Sequence, residues 1–206
     1  MNLSPTESYR DRRIFLIGST GFLGKVTLSM LLHRFPNIGR VYLTVRARSR
    51  EESESRFWNS VLTAPPFDPL RERYGSALEG FIRDKVVVLG GDIGDIDLGY
   101  DEEEAQRIAD DIDVVINSAG NVTFNPTLES ALRTNVVGTQ NVIAFAKRMK
   151  RPHSFMFRRV LSQVIVQAPF GRASPFPDTF HAVTSLRAWS SQPIRKLKIA
   201  PNSLSA

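Results

Sequence analysis

The sequence contains no cysteine among its 206 residues, which excludes disulfides, thiolate zinc sites and cysteine nucleophiles. Histidine is also scarce: the three histidines, His33, His153 and His181, are far apart in the chain, so no metal site is expected. The lack of disulfides is typical of proteins from a reducing compartment. We therefore predict a cytoplasmic protein without a bound metal.

Long hydrophobic runs are missing as well. No stretch of eighteen apolar residues occurs, so no membrane span is predicted. The first residues, MNLSPTESYRDRR, are polar and lack the apolar segment of a signal peptide. The hydrophobic share of 42% is nevertheless sufficient for the core of one domain.

Acidic residues are almost absent from the last quarter of the chain. Residues 1–150 contain 19 lysines and arginines and 20 acids, whereas residues 151–206 contain eight basic residues, one acid, one glycine and six of the 12 prolines. We predict a folded domain over 11–151 and an atypical basic, proline- and serine-rich tail over 152–206, loop-like or disordered beyond Pro169. Because the net charge of +6 comes from this tail, no nucleic-acid partner is predicted.

Strand and helix patterns alternate along the first 150 residues. Short runs rich in β-branched and aromatic residues predict strands over 13–17, 40–46, 85–93 and 113–120. Apolar residues at helical spacing predict helices over 21–34, 50–62, 101–111 and 128–149, with a loop at 63–69 and a helical turn at 70–74. This alternation predicts an α/β fold of the Rossmann type, a doubly wound parallel sheet with helices on both faces. Residues 155–168 can supply one further strand or two, so the sheet is expected to be incomplete after the fourth or fifth strand.

A glycine-rich segment, GSTGFLGK, joins the first predicted strand to the first helix. Its glycines, Gly18, Gly21 and Gly24, have the spacing of a dinucleotide-binding loop, which needs a tight turn, close backbone approach to the pyrophosphate and close helix packing. The pyrophosphate then meets the amide N–H groups at the start of the helix. A Walker nucleotide-binding loop fits less well, because Ser19 stands at its first glycine and Val26 replaces its magnesium-binding hydroxyl residue.

The end of the second predicted strand favours one form of dinucleotide. An acid at this place would bind the ribose 2′-hydroxyl of NAD, but the chain has Arg46 and Arg48 there. Arginine pairs with a phosphate through a charge-assisted fork, so NADPH is predicted over NADH. Two solvated surface arginines are the alternative.

Several segments together resemble a known family. IFLIGSTGFLGK, RVYLTVRARS, LTAPPFDPLRERYG, VINSAGNVTFN and LRTNVVGTQNVIAFAKR are similar to the N-terminal part of the alcohol-forming fatty acyl-CoA reductases, in the thioester-reductase branch of the extended short-chain dehydrogenase/reductases. The resemblance covers roughly residues 11–151. It implies that cofactor-binding residues line the pyrophosphate (Thr20, Gly21, Phe22, Leu23, Gly24), hold the 2′-phosphate (Arg46), flank the adenine (Asp92, Ile93) and pass the nicotinamide ribose (Asn117, Ser118, Ala119, Gly120).

The resemblance also implies an activity. Members of the family reduce a fatty acyl-CoA thioester to an aldehyde and then to a primary alcohol with NADPH. A tyrosine donates the proton, and a lysine four residues later lowers the pKa of that tyrosine. None of the four tyrosines here is followed by lysine at that spacing. The remaining catalytic candidate is Asn135, which the resemblance assigns a supporting role in ordering the proton-relay water.

The absence of the family's tyrosine–lysine pair has two open explanations, a truncation or a change of reading frame from about residue 152. The family's fifth-strand motif is missing after Arg151 too, so we expect the sheet to lose that strand, to expose an edge and an apolar helix face, and to have low stability. The chain is therefore predicted to be a cofactor-binding fragment that is inactive alone, with its oligomeric state left open. The alternatives are a non-catalytic NADP(H)-binding module and another extended-type reductase or epimerase.

Overall fold

The computed structural model describes residues 5–123, 125–150, 154–158 and 163–164. Within this part of the chain, six strands form one sheet in the order β3-β2-β1-β4-β5-β6. The first five strands are parallel and β6 is antiparallel to β5. The predicted doubly wound α/β fold is confirmed. The strands are β1 (Arg13–Ile17), β2 (Arg40–Val45), β3 (Val86–Gly90), β4 (Val114–Asn117), β5 (Ser154–Arg158) and β6 (Gln163–Val164).

The central strand β1 is buried on both faces. Ile14 and Leu16 pack into one hydrophobic cluster, and Phe15 and Ile17 pack into a second cluster on the opposite face. All four are at most 1% exposed. Successive side chains of a strand point to opposite faces, so a strand covered on both sides needs a continuous apolar run.

Helices cover both faces of the sheet. Polar N-caps set the start of three of them: Ser49 Oγ accepts the N–H of Glu52, a carboxylate oxygen of Asp101 accepts the N–H of Glu104, and Thr127 Oγ1 accepts the N–H of Ser130. The helices are α1 (Pro5–Tyr9), α2 (Phe22–Arg34), α3 (Arg50–Arg56), α4 (Asp68–Tyr74), α5 (Leu78–Lys85), α6 (Glu102–Asp111), α7 (Leu128–Leu132) and α8 (Gly138–Ala146).

Two predicted helices each contain a π turn. The helix predicted over 50–62 consists of α3 and a π turn at Phe57–Val61. The helix predicted over 128–149 consists of α7, a π turn at Arg133–Val137 and α8, and it ends at Ala146. Such single-turn insertions are frequent at functional sites.

The prediction of a loop over 63–69 is partly wrong. A 3₁₀ turn occupies Pro65–Phe67, and α4 already begins at Asp68. Proline is tolerated in the first helical turn, because an N–H there would have no partner within the helix. Phe67 and Leu70 are fully buried, which fixes this segment against the core. Two short helices, α1 and α5, were not predicted.

The predicted loss of the fifth strand is also wrong. β5 pairs with β4 in parallel register, from Val114 opposite Ser154 to Asn117 opposite Phe157. A parallel ladder is made by backbone groups, so the SFMFR segment can pair without the family's motif, and its aromatic residues favour a strand. The prediction of one or two strands after residue 155 is consistent with β5 and β6.

Apolar side chains of the segment from α7 through the following π turn are exposed although β5 is present, so their exposure does not have the predicted cause. Leu128, Leu132, Val136 and Val137 are between 37% and 75% exposed. The remainder of the predicted tail, including everything beyond Pro169, lies outside the described residues. None of the helices in the described part is long and apolar enough to cross a membrane.

Candidate functional site

The glycine loop connects β1 to α2 at the carboxyl edge of the sheet. Gly18 has a φ of +86°, and a Cβ there would lie 2.5 Å from the backbone nitrogen of Ala119. Both the left-handed backbone and the close approach of the segment that follows β4 require glycine at this position. The tight turn predicted at Gly18 is therefore present.

The two other glycines of the loop differ in their surroundings. A Cβ on Gly24 would lie 2.0 Å from the carbonyl oxygen of Gly18, whereas a Cβ on Gly21 would lie 3.5 Å from the same oxygen. Gly24 thus allows α2 to pack directly on the loop. Gly21 is exposed and leaves its outer side open to a ligand.

The start of α2 has the properties of an anion-binding site. Gly21 is the N-cap and makes no side-chain cap, and the first turn contains no acidic residue. The amide N–H groups of residues 22–24 have no carbonyl partner within the helix. Ser19 next to them is fully buried, and its Oγ lacks a hydrogen-bond partner among the described residues. These free donors fit the pyrophosphate of a dinucleotide. Of the other predicted pyrophosphate residues, Thr20 and Leu23 are half-buried, and Phe22 is 76% exposed.

The arginines predicted to bind the 2′-phosphate follow β2. The Arg46 side chain is 76% exposed, and its Nη1 lies 3.9 Å from Oδ2 of Asp92, which is too far for a hydrogen bond. Arg48 is exposed, and its backbone N–H donates to Glu52. Both guanidinium groups lie at the surface beside the carboxyl edge, where an incoming phosphate can reach them.

Asp92 and Ile93 follow β3. A carboxylate oxygen of Asp92 accepts the N–H of Gly94 at 2.8 Å, and its side chain is 26% exposed. The Ile93 side chain is buried, and a Cβ on Gly138 would lie 2.7 Å from its Cδ1. The structure therefore presents the Asp92 carboxylate toward solvent and packs Ile93 against α8.

Contacts from two sides hold the loop that follows Asp92. The Asn141 amide of α8 donates to the carbonyl oxygens of Ile93 and Asp95, at 2.8 and 2.9 Å. The hydroxyl groups of Tyr100 and Thr44 share a buried hydrogen bond of 3.2 Å. Asn141 was not singled out from the sequence, although it closes the NVVGTQN segment that carries part of the resemblance.

The exit of β4 closes the site on its other side. The N–H and Oγ of Ser118 both donate to the carbonyl oxygen of Ile17, each at 2.9 Å. Asn117 is buried, and its Oδ1 accepts the N–H of Ala119 at 3.0 Å. This segment, which continues into Gly120, is therefore brought against the glycine loop, as expected for residues that border one cofactor.

Asn135 lies in the π turn between α7 and α8. Its Oδ1 accepts the N–H of Asn121 at 2.9 Å, and its Nδ2 donates to the carbonyl oxygen of Asn121 at 3.3 Å. Its own carbonyl oxygen accepts Thr139 Oγ1 at 2.9 Å. The Asn135 side chain therefore holds the backbone that follows Gly120, and its role in ordering a water stays a prediction.

Comparison with known proteins identifies the family. A family model described as "Male sterility protein", an NAD-binding domain, matches residues 16–166. The chain belongs to this family. It is 37% identical over 147 residues to fatty acyl-CoA reductase 2, chloroplastic, of Arabidopsis thaliana, covering 71% of this chain and 24% of that protein. It is 32% identical over 154 residues to fatty acyl-CoA reductase 1 of Mus musculus, covering 75% of this chain and 29% of that protein.

Solved structures of reductase domains resemble this chain in fold. The terminal R domain from the myxalamid PKS-NRPS biosynthetic pathway matches with a TM-score of 0.57 and 30% identity, over 72% of this chain and 34% of that one. The reductase domain of a nonribosomal peptide synthetase from Mycobacterium tuberculosis matches with a TM-score of 0.54 and 27% identity, over 71% and 32%. The resemblance to fatty acyl-CoA reductases is confirmed. A nicotinamide dinucleotide is the ligand that this family and the glycine loop support.

Three tyrosines of the described part, Tyr9, Tyr42 and Tyr100, are unsuited to donate a proton at neutral pH. Burial raises the pKa of Tyr100 and of Tyr9. Burial is the main cause of the raised pKa of Tyr42, and a hydrogen bond to Asp111 raises it further. A tyrosine that acts as a general acid needs a pKa lowered toward neutrality, so the shift has the wrong direction in these three.

Proposed function

We propose that the chain is the NADP(H)-binding part of a fatty acyl-CoA reductase. The observation that carries this proposal is the position of Arg46, at the end of the strand beside β1, near Asp92 and with its guanidinium exposed. A guanidinium here matches the 2′-phosphate that distinguishes NADPH from NADH. The names of the relatives support the acyl-CoA substrate.

Each part of the site has a role in this proposal. The N–H groups at the start of α2 hold the pyrophosphate, Arg46 and Arg48 hold the 2′-phosphate, and the exit of β4 borders the nicotinamide ribose. When bound, the nicotinamide supplies a hydride to the thioester carbonyl. The chain spans only 24% and 29% of the length of the two curated relatives. The acyl-CoA substrate and the cytoplasmic location are therefore proposed for the whole protein and not for this chain alone.

A second candidate is a non-catalytic NADP(H)-binding module. The observation that favours it is the lack of any tyrosine followed by lysine at the fourth position in this sequence. Steady-state oxidation of NADPH with a long-chain acyl-CoA tests whether this chain has reductase activity of its own, which the non-catalytic module excludes. Turnover supports the reductase in this chain itself, and binding without turnover supports the module or a part of a larger enzyme.

The cofactor preference is tested by titrating NADPH and NADH against the wild-type chain and Arg46→Ala, followed by nicotinamide fluorescence. Removal of a charge-assisted contact worth about 1.5–3 kcal/mol should weaken NADPH binding by about 10- to 100-fold. Affinity for NADH should not change. Arg107→Ala is the matched control, because its side chain is 74% exposed and pairs with Glu104 on α6. An equal loss for both dinucleotides, or no loss, would contradict the proposal.

A further inference from the structure

The main chain that carries Arg46 is held by side chains of the helix that follows it. Ser53 Oγ of α3 donates to the carbonyl oxygen of Val45 at 3.2 Å, and Arg56 Nη1 donates to the carbonyl oxygen of Arg46 at 2.8 Å. Ser53 is buried. Gly90 leaves the space that this serine needs, because a Cβ on Gly90 would lie 3.3 Å from its Oγ. The end of β2 is therefore fixed against α3.

The guanidinium of Arg46 has no comparable support. Its Nη1 lies 3.9 Å from Oδ2 of Asp92, beyond hydrogen-bond distance. Arg133 Nη2 approaches the same oxygen at 3.9 Å and is 2.9 Å from Oδ1 of Asp95, so Asp92 is shared between two arginines. The position of the Arg46 backbone therefore decides where its guanidinium can reach. Fixing that backbone before a ligand arrives lowers the entropy that binding must remove.

The contact from Arg56 is the strongest of those that hold this backbone. A hydrogen bond from a charged donor is roughly twice as strong as one between neutral groups, such as the bond from Ser53. Arg56 is exposed and forms no ion pair with a carboxylate of the described residues, whereas Arg50 on the same helix pairs with Glu54 at 3.6 Å. The Arg56 guanidinium is therefore directed to the Arg46 carbonyl and not to an acidic side chain of this part of the chain.

We propose that Arg56 is a positioning residue for the preference for NADPH. It holds the backbone of Arg46 so that the Arg46 guanidinium meets the 2′-phosphate. This inference rests on the proposed function, because it needs Arg46 to bind that phosphate. Arg56 acts through Arg46 and does not itself touch the dinucleotide. Its loss should therefore lower the affinity for NADPH and leave the affinity for NADH unchanged.

The test compares the wild-type chain with Arg56→Gln and Arg56→Lys in titrations of NADPH and NADH, followed by nicotinamide fluorescence. Arg56→Gln loses the charge-assisted hydrogen bond and should weaken NADPH binding by about 4- to 10-fold. Its affinity for NADH should stay within about twofold of wild type. Arg56→Lys keeps the charge and a donor, so it should bind both dinucleotides within about twofold of wild type.

Two further variants separate a positioning role from other roles. Arg73→Gln is the matched control, because Arg73 also lies in the last turn of a helix, α4, and donates to a backbone carbonyl, that of His33 at 2.9 Å. This control should bind both dinucleotides as wild type does. In an Arg46→Ala chain, Arg56→Gln should cause no further loss of NADPH affinity, because the side chain that it positions is gone.

Each other outcome overturns the inference. Unchanged NADPH affinity in Arg56→Gln, or a loss that Arg56→Lys does not restore, refutes the role of the charged donor. An equal loss for both dinucleotides, or the same loss in Arg73→Gln, shows that Arg56 only supports the fold. A further loss in the Arg46→Ala chain assigns Arg56 to the phosphate itself. If the wild-type chain does not prefer NADPH, the proposed function fails, and the inference fails with it.

Discussion

Replacing Gly24 with alanine should destabilise the fold before any ligand is considered. The new methyl group would lie 2.0 Å from the carbonyl oxygen of Gly18, where ordinary contact begins at about 3.4 Å. Neither group can yield easily, because both belong to backbone that is fixed between β1 and α2. We expect a cost at the upper end of the usual 1–3 kcal/mol for overpacking. The better helix propensity of alanine offsets about 1 kcal/mol of this cost, so the free energy of unfolding should fall by about 2 kcal/mol.

Gly21→Ala is the matched control in the same loop. Its methyl group would lie 3.5 Å from the same carbonyl oxygen, so the fold should lose no more than about 0.5 kcal/mol through the poorer N-cap. The methyl group stands at the start of α2, however, and should weaken binding of NADPH.

Thermal unfolding and NADPH titration together test this pair of variants. The midpoint of Gly24→Ala should fall by about 4–8 °C, and that of Gly21→Ala by much less. If Gly24→Ala unfolds at the wild-type temperature, or if Gly21→Ala is the less stable variant, the packing argument is refuted.

Two further predictions concern the loop before α6 and its neighbours. Tyr100→Phe should lower the free energy of unfolding by about 1 kcal/mol in urea, because the hydroxyl of Thr44 loses its partner. Burial raises the pKa of Tyr100, so wild type should also lose stability as the pH rises above about 10, and Tyr100→Phe should lose less. The hydrogen bond and charge of Arg148 lower the pKa of Glu102, so this contact should stabilise the fold at pH 7 and stop doing so as the pH falls through that lowered pKa. The difference in urea midpoint between wild type and Arg148→Ala should therefore be smaller at about pH 3 than at pH 7, and an unchanged difference would contradict this.

The strand and helix order could be predicted because it depends on local patterns. The apolar run that ends at Gly18 forms β1, and the periodic segment that ends before Pro36 forms α2. The helix α5 was missed because it is short and joins β3 without a glycine or proline between them. The fifth strand was misjudged because the prediction relied on a family motif, whereas pairing with β4 depends on backbone groups.

The candidate site could be predicted only where its residues lie within short motifs. The glycine loop and Arg46 follow directly from their positions after β1 and β2. The contact between Arg133 and Asp95 joins residues 38 positions apart, and no spacing rule connects them. The two hydrogen bonds between the Asn135 side chain and the backbone of Asn121 likewise depend on how the π turn packs beside the segment that follows β4.

The contact between Gly18 and Ala119 has a consequence for how the site is made. The loop after β1 is completed by a segment about a hundred residues later, through the bonds from Ser118 to Ile17 and the space that Gly18 leaves for Ala119. During synthesis, a chain that has not yet reached β4 contains every glycine of the loop but lacks the wall against which the loop rests. The chain should therefore gain affinity for a dinucleotide late, when β4 pairs with β1. The binding loop and the centre of the sheet should form in the same folding step.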